Sequence, residues 1–154
     1  MDITMKIIKQ NISKFLLLTM AVVGLSLSSA TFAGVVVISH PSNNATLTAK
    51  DLKQIFLGKT GIYPGGGKAV PLDQKNDSPA HKAFYTKVVK KEGRKLKSYW
   101  SKMMFSGKKQ PPPVVDTVEE LIKIIAADPA AIGYIDESAL AGTTSVKIIF
   151  TVPL

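Results

Sequence analysis

The run Val35–Ile38, inside "GVVVIS", sets four β-branched residues in succession with no polar residue between them. Side chains alternate faces along a strand, so this one is apolar on both faces and reads as a buried strand. A strand of that kind needs covering layers, and the rest of the chain supplies them. Thr48 and Asp51 have the spacing of a capping box, with Asp in place of the usual Glu. Leu52, Ile55 and Phe56 follow as an apolar helical stripe, and Gly58 is its expected stop. "KTGIYPGGGK" holds Pro64 and three glycines and reads as a loop; "AVPL" after it reads as a short strand.

Asp77 or Ser78 is placed to cap a second helix, with Pro79 at its first position, where a missing N–H costs nothing. Ala80, Phe84 and Val88 form its spine, and "KKEGR" breaks it. A third helix over residues 95–104 sets Leu96, Tyr99, Trp100, Met103 and Met104 at helical spacing. "GKKQPPP" is an extended polyproline connector, and "VV" after it reads as a short strand. Asp116 and Glu119 bracket the start of a fourth helix, whose buried face is Val118, Leu121, Ile122 and Ile125, and Asp128-Pro129 ends it. "AIGYI" and "VKIIFTV" read as the last strands. There is no internal repeat. This alternation predicts a single α/β domain, a mixed or mainly parallel sheet flanked by helices.

Residues 1–33 are read apart from that domain. Lys6, Lys9 and Lys14 make a basic start, "FLLLTMAVVGLSL" an apolar middle, and "SSATFA" a small-residue end. That is the pattern of a secretory signal peptide, with cleavage expected between Ala33 and Gly34. The leader takes with it three Lys and one Asp, so residues 34–154 keep a net charge of +7. A basic exported domain meets anionic solutes, lipid head groups or acidic polymers. The chain has no cysteine, so neither a disulfide nor a lipidated cysteine is available and the core alone must hold the fold. With two histidines and no thiols, a zinc site is not expected, and no cofactor is.

Motifs that suggest chemistry fail on spacing. "GKT" at Gly58–Thr60 lacks a P-loop's first glycine, because Lys53 stands there, and it follows a helix instead of a strand. His40 and His81 have no carboxylate or second histidine at ligand spacing and read as surface or capping residues. No G-x-S-x-G elbow surrounds Ser78, and Asp136 and Glu137 are adjacent and so point apart. An enzyme is not expected. Lys87 to Lys109 carries nine basic residues against Glu92 alone, with Tyr99, Trp100 and Phe105 interleaved. It reads as a solvated helix face over buried aromatics, more than as a nucleic-acid surface.

The stretch "PLDQKNDSPAHKAF", Pro71–Phe84, leads from a strand through a polar turn into a helix. A helix N-terminus offers unpaired N–H groups and a positive dipole end to an oxyanion, and Gln74, Lys75, Asn76 and Ser78 add donors. On residue chemistry alone, plain capping by Asp77 or Ser78 is the better account, and Asp77 would repel an anion.

Three segments together resemble the periplasmic phosphate-binding proteins of ABC importers, the PstS type. "DLKQIFLGKTGIYPGG" resembles that family's helix and following loop, "AVPLDQKNDSPAHKAF" its phosphate strand-turn-helix, and "DPAAIGYIDESAL" a Pro-Gly-Ala-Ile-Gly-Tyr segment of the same lobe. The resemblance covers most of Leu47–Leu140 and is closest to short, single-lobe members. It implies one lobe of a type II periplasmic-binding-protein fold over residues 34–154, a periplasmic location and a phosphate-type ligand. It also implies a transporter or sensor in the membrane as partner, with contacts from Gln74, Lys75, Asn76, Ser78 and the start of the helix at Ala80. The departures are specific. The family's Arg position falls on Gln74, and its Gly and Thr after the Ser fall on Pro79 and Ala80. Lys75 can supply a point charge but not a planar fork. A lobe that has lost its ligand and docks a membrane protein is the alternative, and a polyanion binder acting through Lys87–Lys109 a weaker one.

Overall fold

The computed structural model describes residues 34–153, so the expected leader, with Ala33 of its cleavage site, lies outside the described residues. The described residues form a compact unit of their own. At its centre is β1 (Val35–Ser39), buried at every position. It pairs antiparallel with β3 (Ala131–Asp136) on one side, Val37 opposite Tyr134. On the other side it pairs antiparallel with β4 (Lys147–Thr151), through a register shift at Val37/Ile38. The short β2 (Val70–Pro71) joins β3 in parallel, giving the order β2-β3-β1-β4. The sheet is therefore mixed, one of the two arrangements expected, and both partners of the central strand run against it. Hydrophobic periodicity reports burial and is silent on strand direction.

Alternation along β1 and β3 separates two cores. Val35, Val37, Ile132 and Tyr134 face one side. There they meet α1 (Ala49–Phe56) through Leu52, Ile55 and Phe56, and α2 (Pro79–Phe84) through Ala80 and Phe84. Val36, Ile38, Ala131 and Ile135 face the other side, covered by Leu121 and Ile125 of α4 (Val118–Ala127). The four β-branched residues of β1 thus serve both layers, as a strand apolar on both faces must. Gly133 lets α4 approach closely, since a Cβ there would lie 3.0 Å from Cδ1 of Ile125 and 3.1 Å from Cδ1 of Leu121.

The helix starts follow local chemistry. The expected capping box of α1 is present: the Thr48 amide donates to Asp51 Oδ2 at 2.9 Å, and the Asp51 amide to Thr48 Oγ1 at 3.3 Å. For α4 the cap is Thr117, whose Oγ1 accepts from the Glu120 amide at 3.2 Å, where Asp116 and Glu119 were expected to bracket the start. A hydroxyl one residue nearer the helix reaches the third amide of the first turn. α2 widens into a π-helical turn over Tyr85–Val89 and stops at Lys90, whose φ of 57° reverses the chain.

The third helix, α3 (Gly93–Phe105), corrects two assignments. Leu96 and Trp100 are buried, with Tyr99 and Met103 packed beside them, but Met104 is 44% exposed and Phe105 95% exposed. At about 100° per residue, Phe105 falls nearly opposite Leu96 and Trp100 on the helix. The "VV" segment makes a single parallel bridge, Asp73 with Val114, and no strand of its own. No helix of the described residues is long and apolar enough to cross a membrane.

Candidate functional site

β2 ends where an apolar strand gives way to Asp73, which is only 7% exposed. Its backbone is held on both sides of the chain: its amide donates to Pro113 O at 2.8 Å, and its carbonyl accepts from the Val115 amide at 2.9 Å. The side chain gathers three donors. Tyr85 Oη donates to Oδ2 at 2.6 Å, Tyr134 Oη donates to Oδ1, and the Gln74 amide donates to Oδ1 at 2.9 Å. The carboxylate thereby ties the end of β2 to β3 and to the π-helical turn. Burial first, and then the Asp73 charge, push both tyrosine hydroxyls well above the usual phenol range. Both tyrosines therefore act as fixed donors at any ordinary pH.

His81 completes the cluster. Its ring stacks on Tyr85 at 4.3 Å between centroids, and Nε2 lies 4.0 Å from Asp73 Oδ1, beyond hydrogen-bond reach. Nε2 has no hydrogen-bond partner among the described residues, although the residue is only 5% exposed. Burial pushes its pKa below the ordinary histidine value, against the pull of the Asp73 and Asp77 charges. The reading of His81 as a surface or capping residue with no carboxylate at ligand spacing is corrected: it is buried with Asp73 beside it. Residues 73 and 81 are brought together by the turn between β2 and α2, which sequence spacing alone does not reveal. Asp73, His81, Tyr85 and Tyr134 thus form one buried group that pins the end of β2 to β3 and to the π-helical turn.

The residues expected to hold an anion surround the turn above this pin. Ser78 is the N-cap of α2, its Oγ accepting from the His81 amide at 3.1 Å. The Lys82 amide bonds Ser78 O at 3.1 Å, and Pro79 has no amide hydrogen. Among the described residues, that leaves the Ala80 amide as the first-turn N–H without a protein partner. Gln74 is 9% exposed and turned inward: Nε2 donates to Tyr134 O, and Oε1 lies 3.5 Å from Ser78 Oγ. Lys75 is exposed and paired with Asp116 at 3.3 Å. Asn76 is exposed at the tip of the turn. The geometry thus brings Gln74, Ser78 and Ala80 together at one corner, with Lys75 and Asn76 on its solvent side.

No protein-family model and no curated protein sequence matches the chain. Solved structures do. A protein assigned as a phosphate ABC transporter substrate-binding protein of Clostridium perfringens, solved with phosphate bound, aligns with a TM-score of 0.56 at 20% identity, over 75% of this chain and 44% of that one. An ABC-type phosphate transport receptor of Vibrio cholerae aligns with a TM-score of 0.58 at 18% identity, over 75% and 45%. PstS of Borrelia burgdorferi aligns with a TM-score of 0.57 at 18% identity, over 79% and 49%. This chain has the fold of one periplasmic-binding-protein lobe. It spans less than half the length of the solved structures it matches.

Within this lobe, sequence reasoning located the strand-turn-helix but missed its buried anchor. Asp73, Tyr85 and Tyr134 were not singled out as a group. One signal was available: an Asp directly following the apolar "AVPL" needs a partner if buried, and tyrosines on core positions need one for their hydroxyls.

Proposed function

We propose that the lobe is a periplasmic, non-catalytic binding protein for phosphate or a similar oxyanion, serving ABC transport or solute sensing. The observation that carries this reading is positional. The Ser78-capped start of α2 follows β2 in a fold shared with phosphate-binding proteins, and among the described residues the Ala80 amide, two positions after Ser78, is its first-turn N–H without a protein partner. In this reading the Ala80 N–H and Ser78 Oγ contact the anion directly, Asn76 closes over it, and Lys75 swings from Asp116 to supply charge. Gln74 acts as a positioning residue, because its amide is committed to Tyr134 and its carbonyl end faces Ser78.

One amide, one hydroxyl and one mobile ammonium make a sparser cradle than an Arg fork with several amides. The expected affinity is accordingly low, in roughly the millimolar range. Calorimetric titration of residues 34–154 at low salt tests it. Saturable binding of phosphate or sulfate, weakened by both Ser78→Ala and Lys75→Ala, supports the reading. Absence of binding at millimolar anion contradicts it.

A further inference from the structure

The C-terminal end of α3 carries a feature unrelated to the anion corner. Phe105 is 95% exposed and Met104 beside it 44% exposed, followed by Ser106, Gly107, Lys108 and Lys109, all exposed. Gly107, at φ 65°, follows the end of the helix, so the two apolar side chains stand in its last turn. Helical geometry sets Arg94, Lys95, Ser98 and Lys102 on the same side as Phe105, away from the buried Leu96 and Trp100. A shallow groove of about 420 Å³ runs along this face between Lys91 and Lys102. Lys91 Nζ lies 5.4 Å above the Tyr99 ring, its stem laid over the helix. Among the described residues, none of the nine basic side chains from Lys87 to Lys109 has a carboxylate within salt-bridge distance. The one acid in the stretch, Glu92, is hydrogen-bonded to Thr86 Oγ1 instead.

We propose that this helix end docks on an anionic lipid bilayer, with Phe105 and Met104 entering the acyl boundary and Lys102, Lys108 and Lys109 meeting the head-group phosphates. Single exposed apolar residues are ordinary on protein surfaces. A fully exposed Phe with a Met neighbour, in a helix end flanked in sequence by lysines without ion-pair partners, has the composition of an interfacial anchor. The charge is mostly Lys: a lysine is a point charge suited to a diffuse head-group layer, whereas base recognition favours the bidentate Arg fork.

Co-sedimentation of residues 34–154 with vesicles of phosphatidylglycerol and phosphatidylcholine, against phosphatidylcholine alone, tests the proposal. Binding to the anionic vesicles is expected, removed by high salt. Phe105→Ala should weaken it about tenfold, and Lys102, Lys108 and Lys109 changed together to Gln should weaken it about a hundredfold, near fivefold each. Phe105→Trp should bind with a blue-shifted emission absent from phosphatidylcholine vesicles. All of these side chains are exposed, so thermal melts of the variants should match the parent. Equal sedimentation with both vesicle types, binding insensitive to Phe105→Ala, or capture of single-stranded DNA in preference to vesicles would overturn it.

Discussion

Tyr85 donates its hydroxyl to Asp73 at 2.6 Å, joining the π-helical turn after α2 to the end of β2 behind the proposed anion corner. Both side chains are buried, and the same carboxylate also receives Tyr134. Tyr85→Phe removes one hydrogen bond to the carboxylate and should destabilise the fold by about 2 kcal/mol. Asp73→Ala strands two buried hydroxyls and should cost about 3 kcal/mol or more. Urea unfolding of both variants checks this, and a loss below about 0.5 kcal/mol for Asp73→Ala would remove the pin from the account.

His81 sets a pH dependence of definite sign. Its folded pKa lies below the ordinary 6.5 because burial disfavours the imidazolium, with Asp73, Asp77 and the Tyr85 ring as its surroundings. The unfolded chain therefore takes up a proton first as pH falls. The stability due to neutral His81 is fully present above about pH 6.5 and declines as pH drops from there through the folded pKa. His81→Gln should flatten that part of the stability profile. An unchanged profile between pH 7 and 5 would show that His81 titrates as in the unfolded chain.

Gly133 governs how closely α4 packs on the sheet. Gly133→Ala would place a methyl 3.0 Å from Ile125 Cδ1 and 3.1 Å from Leu121 Cδ1. Overpacking of that kind should cost about 1–3 kcal/mol. Chemical denaturation measures it, and a neutral result would mean that Leu121 and Ile125 reorient freely.

Much of this fold was legible in residue patterns, and the illegible parts share a cause. The β-branched run of β1, the Thr48–Asp51 box and the Ser78-Pro79 helix start are local, and each appears where its chemistry places it. Strand direction, the burial of His81 and the meeting of Asp73 with Tyr134 depend on contacts between residues distant in the chain. Phe105 was assigned to covered aromatics because it sits among Tyr99 and Trp100 in sequence, although its helical angle points it to water. The strand-turn-helix of the proposed anion corner was legible as a local structure. That Gln74 faces inward was not, since an exposed and a buried Gln have the same spelling.

The ion pair between Lys75 and Asp116 offers a gain-of-function test. Both groups are exposed, so Asp116→Asn should change stability by less than about 0.5 kcal/mol. It should nonetheless release Lys75 and tighten oxyanion binding about two- to fivefold. Weaker binding in that variant would place Lys75 outside the site.

The most direct test of the central claim is an amide-resolved NMR titration of residues 34–154 with inorganic phosphate at low salt. The account predicts a saturable shift of the Ala80 amide, with smaller shifts at Ser78 and Asn76 and loss of saturation in Ser78→Ala. Saturable shifts elsewhere with a silent Ala80, or no saturable shift in the millimolar range, would contradict it.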